Sequence, residues 1–178
     1  MLKKSGKLRT VFDLHMQNDN TEKDALPFPD QDTIWHDIAR APYRSKLDMS
    51  EAYEQIRTRS EDVPKTAFST IFGTFVSRVM QQGDCNAPST FQWLMMAVFC
   101  NYITHFVHVY LDDIFIYSSS IEEHKAHLAI VFNRLCEAQL YLSRDKVDLY
   151  LTKMDCLGHL ITDAGIHANA DKMQKIRD

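Results

Sequence analysis

The sequence predicts an α+β fold, an antiparallel sheet packed on helices. Three observations carry that expectation. An aromatic and β-branched run over residues 106–117 reads as a β-hairpin with its turn at Asp112-Asp113. Ser120 and Glu123 stand at the spacing of a capping box, ahead of an apolar stripe formed by Leu128, Val131, Phe132 and Leu135. A second helix opens at Ala87-Pro88-Ser89-Thr90 with proline in its first turn, and Phe91, Leu94, Met95, Val98, Phe99 and Tyr102 follow at helical spacing. Strands and helices come in blocks, which places the helices on one face of the sheet.

The remaining elements follow in chain order. Lys3, Lys4, Lys7 and Arg9 surround Ser5-Gly6, a basic turn leading into a short strand, Leu8 to Leu14. Either it is a solvated basic terminus or a finger that grips phosphate. Residues 18–33 are polar and broken by Pro27 and Pro29, so they form a loop. Asp30 then caps a helix that buries Ile34, Trp35 and Ile38. Residues 43–49 read as a strand ending at Asp48, and Ser50 caps a short helix over residues 51–56. Thr66 to Ile71 and Thr74 to Met80 form a hairpin around Phe72-Gly73, and residues 81–86 form a loop. After the capping-box helix, Tyr141 to Lys146 and Met154 to Thr162 read as two more strands, with Gly165 and residues 167–178 peripheral.

Composition narrows the function classes. The chain has 178 residues, 45% of them hydrophobic, enough for the core of one domain or of one domain with a discontinuous lobe. A net charge of −4 excludes binding to nucleic acid by bulk charge alone. It leaves room for a nucleic-acid enzyme whose acidic metal site lowers the total. No apolar run reaches the length of a membrane span, and the first residues lack the apolar core of a secretory signal. Cys85, Cys100, Cys136 and Cys156 form no CxxC pair and read as reduced thiols of an intracellular protein. His105 with His108, and His124 with His127, stand three apart, but no third ligand lies nearby to complete a zinc site.

Chemistry concentrates on carboxylates. Asp112 and Asp113 sit side by side within an apolar run, where like charges repel and raise each other's pKa. Asp is also a common turn residue, so an acidic turn is the plain alternative. Asp48, at a strand end just before a helix, is a candidate third carboxylate. Hard oxygen donors without a His/Cys set suit Mg²⁺ or Mn²⁺. Two such ions ~3.5–4 Å apart would clamp the attacking and leaving oxygens of an in-line phosphoryl displacement. One would lower the pKa of a primer 3′-hydroxyl and the other would neutralise charge on a triphosphate.

Read in order, Lys3-Lys4-Ser5-Gly6-Lys7-Leu8-Arg9, Leu26-Pro27-Phe28-Pro29, Ser45-Lys46-Leu47-Asp48 with Ala52-Tyr53, Pro64-Lys65-Thr66-Ala67-Phe68, Gly83 with residues 86–92, Tyr110-Leu111-Asp112-Asp113 and Leu157-Gly158-His159 form a specific set. With these motifs the chain resembles the reverse transcriptase domain of gypsy-type LTR retrotransposons. The wording of residues 80–86 is similar to fungal members. The resemblance implies a reverse-transcriptase-like palm with a partial fingers lobe, over residues 1–163. Fingers would take about 1–23 and 56–86, palm about 24–55 and 87–163, and residues 164–178 would begin the following connection.

The resemblance also implies roles. Asp48, Asp112 and Asp113 match the catalytic, metal-binding acids, holding two Mg²⁺ or Mn²⁺ ions. Lys3 and Arg9 match residues that hold the incoming triphosphate. Tyr53 matches an aromatic gate under the sugar, which selects deoxynucleotides, and Gln82 and Gly83 line the nucleotide pocket. Lys146 matches a lysine near that pocket. Gln92 would support the templating base, and Leu157, Gly158 and His159 match the hairpin that steadies the primer end. The implied partners are an RNA or DNA template with its primer, dNTPs, the remainder of a retrotransposon polyprotein, and no membrane. The implied place is inside the cell, in a cytoplasmic particle or the nucleus.

Departures stand beside the matches. His15 replaces a usual arginine, and Gln81-Gln82-Gly83-Asp84 replaces a common proline, phenylalanine, glycine and leucine. Ser77 and Arg78 interrupt a usually apolar strand, where a buried Arg78 would be costly. By the resemblance, the sequence begins inside the fingers and stops before a thumb or an RNase H segment. The expectation is weak processive synthesis by this chain alone, or an inactive remnant that at most binds nucleic acid. An acidic metal-binding domain of unrelated function is the third reading.

Overall fold

The computed structural model describes residues 12–168. The chain divides into two compact units, one from Met1–Leu26 and Glu51–Trp93, the other from Pro27–Ser50 and Leu94–Asp178.

The second unit is built on a four-stranded antiparallel sheet. Its strands are β1 (Tyr43–Met49), β4 (Val107–Tyr110), β5 (Asp113–Ser118) and β6 (Leu142–Asp148), in the spatial order β4-β5-β1-β6. Successive side chains of a strand face opposite sides, and Ile114 through Ser118 are all buried. Both faces of β5 therefore need cover, and the expectation of helices on one face alone is corrected. Helix α4 (Ile121–Glu137) packs on β5 and β1, burying His124, Leu128, Val131 and Leu135. On the Phe115 and Tyr117 side lies α2 (Gln31–Arg40) with Ile34 and Ile38, together with Met154, Cys156 and Ile161.

Local chemistry explains the helix starts. Asp30 Oδ1 and Oδ2 accept from the backbone N–H groups of Asp32 and Thr33 at the head of α2. Ser120 Oγ accepts from Glu123 N–H at 3.2 Å, and Glu123 Oε2 accepts in return from Ser119 N–H at 3.3 Å.

A second, three-stranded sheet completes this unit: β7 (Lys153–Cys156), β8 (His159–Thr162) and β9 (Gly165–Ala168). The sequence predicts one strand over Met154 to Thr162. The run instead turns at Leu157 and Gly158, which have φ of 49° and 84°, so that Cys156 pairs with His159. Gly165–Ala168 are not peripheral, since they hydrogen-bond to β8 as its outer strand, and the rest of the stretch expected to be peripheral lies outside the described residues.

The first unit holds α1 (His15–Asp19), the hairpin strands β2 (Phe68–Thr70) and β3 (Gly73–Phe75), and the start of α3 (Ala87–Val98), which runs across the boundary. The hairpin is shorter than expected because side chains capture its backbone. A 3-10 turn takes residues 63–66, and Thr66 Oγ1 accepts from Ser77 N–H at 2.8 Å and donates to Ser77 O at 2.9 Å. Arg78 is exposed, so it carries no burial cost. No strand occupies residues 12–14, while the rest of the expected first strand lies outside the described residues. Residues 51–56 form a 3-10 turn, Ala52–Gln55, with Glu51 rather than Ser50 ahead of it at φ 45°. That left-handed conformation excludes Glu51 from a right-handed helix, so the turn begins only at Ala52. Helix α3 ends at Val98, so Phe99 and Tyr102 lie beyond it, although Phe99 is fully buried.

Candidate active site

Strand register brings the acids of the second unit together. Asp48, one residue from the end of β1, is the cross-strand partner of Asp113, the first residue of β5. Tyr110 pairs with Asp113, so the hairpin turn is Leu111-Asp112, one residue earlier than the expected Asp112-Asp113. Leu111 supplies the left-handed conformation at φ 54°. The backbone carbonyl of Asp112 accepts from Met49 N–H at 3.1 Å, which fixes the turn against the end of β1. Tyr110 is held in place by Gln31, whose Nε2 donates to its hydroxyl at 2.8 Å.

Two lysines face these acids. Lys46 Nζ lies 3.0 Å from Asp113 Oδ1, with both side chains about four-fifths buried. Lys146 Nζ donates to Asp48 Oδ2 at 2.9 Å. Burial raises the pKa of Asp113 most strongly; Lys46 pulls it down, and Asp112 and Asp48 push it up again. The hydrogen bond to Asp48 raises that of Lys146. A cavity of about 330 Å³ opens here, lined by Lys46, Asp48, Asp145, Lys146, Asp148 and Asp155 among others.

The donor chemistry fits a hard divalent cation, since Asp48, Asp112 and Asp113 offer only carboxylate oxygens. In the arrangement described, Asp48 and Asp113 engage lysine ammonium groups. Among the described residues, no three His, Cys, Asp or Glu side chains converge closely enough to hold an ion. The His124 and His127 pair is otherwise engaged, since both Nδ1 atoms lie 2.8 Å from Ser118 Oγ.

The hairpin residues Leu157 and Gly158 form the turn between β7 and β8. His159 packs against Trp35 with ring centroids 3.9 Å apart, and Trp35 Nε1 donates to Cys156 O at 3.0 Å. His159 Nδ1 is buried without a hydrogen-bond partner.

The first unit carries the other expected residues. Tyr53, in the 3-10 turn, stands edge-on to Phe91 at 5.8 Å. Gln82 and Gly83 are exposed in the loop before α3, and Gly83 has φ 116°, a backbone that favours glycine. Gln92 is fully buried within α3. Lys3 and Arg9 lie outside the described residues.

Sequence reasoning assigned no role to Asn18, Arg44 or Lys46. Asn18 Nδ2 donates to Gly83 O at 2.9 Å and its Oδ1 accepts from Cys85 N–H at 2.9 Å, clamping that loop. Lys46 was discoverable, because strand alternation puts it on the same face as Asp48. Asn18 left no such signal.

An antiparallel sheet that sets Asp48 opposite Asp113, with Asp112 in the adjoining turn and helices packed on it, has the α+β architecture of a reverse transcriptase. The chain belongs to the reverse transcriptase (RNA-dependent DNA polymerase) family, whose pattern matches residues 1–161. It is 35% identical over 172 residues to the retrovirus-related Pol polyprotein from transposon 297 of Drosophila melanogaster, covering 97% of this chain and 16% of that protein. It is 41% identical over 127 residues to an RNA-directed DNA polymerase homolog of Oenothera berteroana, covering 70% of this chain and 89% of that one. Similarity to the transposon Tf2-3 polyprotein of Schizosaccharomyces pombe is 30% over 174 residues, 98% of this chain and 13% of the polyprotein. The foamy viral protease-reverse transcriptase in complex with double-stranded DNA superposes with a TM-score of 0.91 at 26% identity, covering 100% of this chain and 31% of that one. The same enzyme's complex with an RNA/DNA hybrid gives 0.84 at 25% identity, covering 94% and 23%. The chain thus spans a small part of the polyproteins it matches. The family generally uses divalent metal ions. Among the described residues, no helix is long and apolar enough to cross a membrane.

Proposed function

We propose that this chain is the nucleotidyl-transfer core of a gypsy-type retrotransposon polymerase, with the wording of residues 80–86 pointing to a fungal-like member. The substrates are dNTPs and a primer 3′-hydroxyl on an RNA or DNA template, and the setting is an intracellular polyprotein product. The observation that carries the reading is the pairing of Asp48 with Asp113 across β1 and β5, with Asp112 in the adjoining turn.

Asp48, Asp112 and Asp113 would hold two Mg²⁺ or Mn²⁺ ions, which when bound supply Lewis acidity to the primer hydroxyl and the triphosphate. The strand ladder orients the carboxylates, so little reorganisation is needed during reaction. Lys3 and Arg9 grip phosphate by charge, with Lys146 beside the acids. Tyr53 excludes a 2′-hydroxyl by bulk, and the backbone at Gln82 and Gly83 approaches the nucleotide. Gln92 supports the template side from within α3, and Leu157, Gly158 and His159 steady the primer end. The two compact units support a division into fingers, about residues 1–23 and 56–86, and palm, about 24–55 and 87–163.

Primer extension on an RNA template with dNTPs and Mg²⁺ or Mn²⁺, beside an Asp112→Asn control, tests the proposal. Extension that the substitution removes supports it. Equal signal from both proteins, or none from either, leaves a nucleic-acid-binding remnant as the better description.

A further inference from the structure

We propose that Lys46 is a built-in counter-cation for the acidic end of the sheet, occupying the place of a divalent ion until metal enters. The inference rests on the reading of Asp48, Asp112 and Asp113 as metal ligands. It adds a residue that sets when those ligands accept an ion.

Burial makes the problem acute. Asp113 is about four-fifths buried and directly opposite Asp48, with Asp112 next to it in the chain. Three carboxylates so placed repel one another, and a buried charge without a partner is strongly unfavourable. The fold supplies its own cation. Lys46 lies two residues before Asp48 on the same face of β1, and its cross-strand partner is Phe115, two residues after Asp113. From there Nζ reaches diagonally to Asp113 Oδ1 at 3.0 Å while standing 5.4 Å from the centre of the Phe115 ring. The aromatic face favours the ammonium at that spot.

The two lysines differ in their surroundings. The side chain of Lys146 is 61% exposed, so water and salt screen its pair with Asp48. That of Lys46 is only 23% exposed, and its pair with Asp113 is correspondingly less screened. A lysine also lets go easily, because its ammonium is a point charge on a flexible stem. A divalent cation brings twice the charge and binds several oxygens at once, so it can displace Lys46 from Asp113. Lys46 and metal thus compete for one set of oxygens. The competition keeps the metal-free protein folded and weakens metal binding in the absence of the additional phosphate oxygens of a nucleotide.

The test is Mn²⁺ binding to the full 178-residue chain without nucleotide or nucleic acid, read by the electron paramagnetic resonance of free Mn²⁺. Thermal melting in EDTA and in Mn²⁺ runs beside it. Lys46→Met and Lys46→Gln are expected to bind Mn²⁺ about tenfold more tightly than the unaltered chain. Both should melt lower in EDTA and recover in Mn²⁺. Lys146→Met should shift affinity by less, and Asp113→Asn should lose binding. If Asp113→Asn weakens binding but neither Lys46 variant strengthens it, the role of Lys46 is wrong and the acid site stands. An Lys146→Met effect as large as that of Lys46→Met also overturns the assignment. If Asp48→Asn and Asp113→Asn bind as the unaltered chain does, the acid-site reading falls and takes this inference with it.

Discussion

Arg44, on β1, donates from Nη1 to Asp163 Oδ1 at 2.9 Å, in the turn between β8 and β9. Its guanidinium is almost wholly buried, and Nε and Nη2 donate to the carbonyls of Ile38 and Ala39 at the end of α2. One side chain thereby ties the strand of Asp48 to α2 and to the sheet that carries Leu157, Gly158 and His159. Arg44→Met removes a buried donor from both carbonyls, leaving Ile38 O only its 3.3 Å bond from Ala41 N–H, so urea denaturation should show a loss of about 3 kcal/mol. Asp163→Ala removes a partner that is 70% exposed and should cost under about 1 kcal/mol. The reverse ranking would contradict the staple.

His124 predicts how stability depends on pH. It is fully buried between Ser45 Oγ, 2.7 Å from Nε2, and Ser118 Oγ, 2.8 Å from Nδ1. Burial, then the nearby His127, pushes its pKa down from 6.5 to about 4. Between those values the unfolded chain binds the proton and the folded chain does not. Folding is therefore favoured fully above pH ~6.5, and that contribution is lost as pH falls toward 4. The loss should approach about 3 kcal/mol, measured as urea stability at pH 7.5 against pH 4.5. His124→Leu should flatten the profile, and an unchanged slope would contradict the assignment.

Asn18 clamps the loop that presents Gln82 and Gly83. Asn18→Ala removes both hydrogen bonds without touching the carboxylates. Steady-state incorporation should show KM for dNTP rising roughly five- to tenfold, with kcat nearly unchanged. A fall in kcat alone would argue against a role in nucleotide binding.

Tyr53 should discriminate sugars by the bulk of its ring. Tyr53→Ala is expected to raise ribonucleotide incorporation relative to deoxynucleotide by roughly tenfold or more, and Tyr53→Phe should keep the gate closed. Both ratios come from single-nucleotide extension with rNTP and dNTP. The alanine variant also loses the Phe91 contact, worth about 1 kcal/mol, so its melting temperature is measured in parallel.

Features governed by neighbours along the chain are legible in the sequence. The Ser120–Glu123 cap, the Asp30 cap and the apolar stripe of α4 depend on spacing alone, and all form. The acids are legible as residue types, but their juxtaposition depends on the register between β1 and β5, which no local pattern encodes. The tip of the hairpin lies one residue earlier than expected because Leu111, not Asp113, takes the left-handed conformation. Thr66 and Ser77 shorten β2 and β3 through side-chain hydrogen bonds across eleven residues. Arg44 sits in a strand pattern that gives no hint of its burial, because its partners lie as far as 119 residues away.

The most direct measurement is single-turnover addition of one dNTP to a primer on an RNA template, comparing the unaltered chain with Asp48→Asn and Asp113→Asn in Mg²⁺. Asparagine keeps the shape of the ladder and removes one charge from the oxygen set. Each substitution should slow addition by roughly a thousandfold or more, with melting temperature and primer–template affinity little changed. Addition at the unaltered rate in either variant would contradict the assignment of these carboxylates.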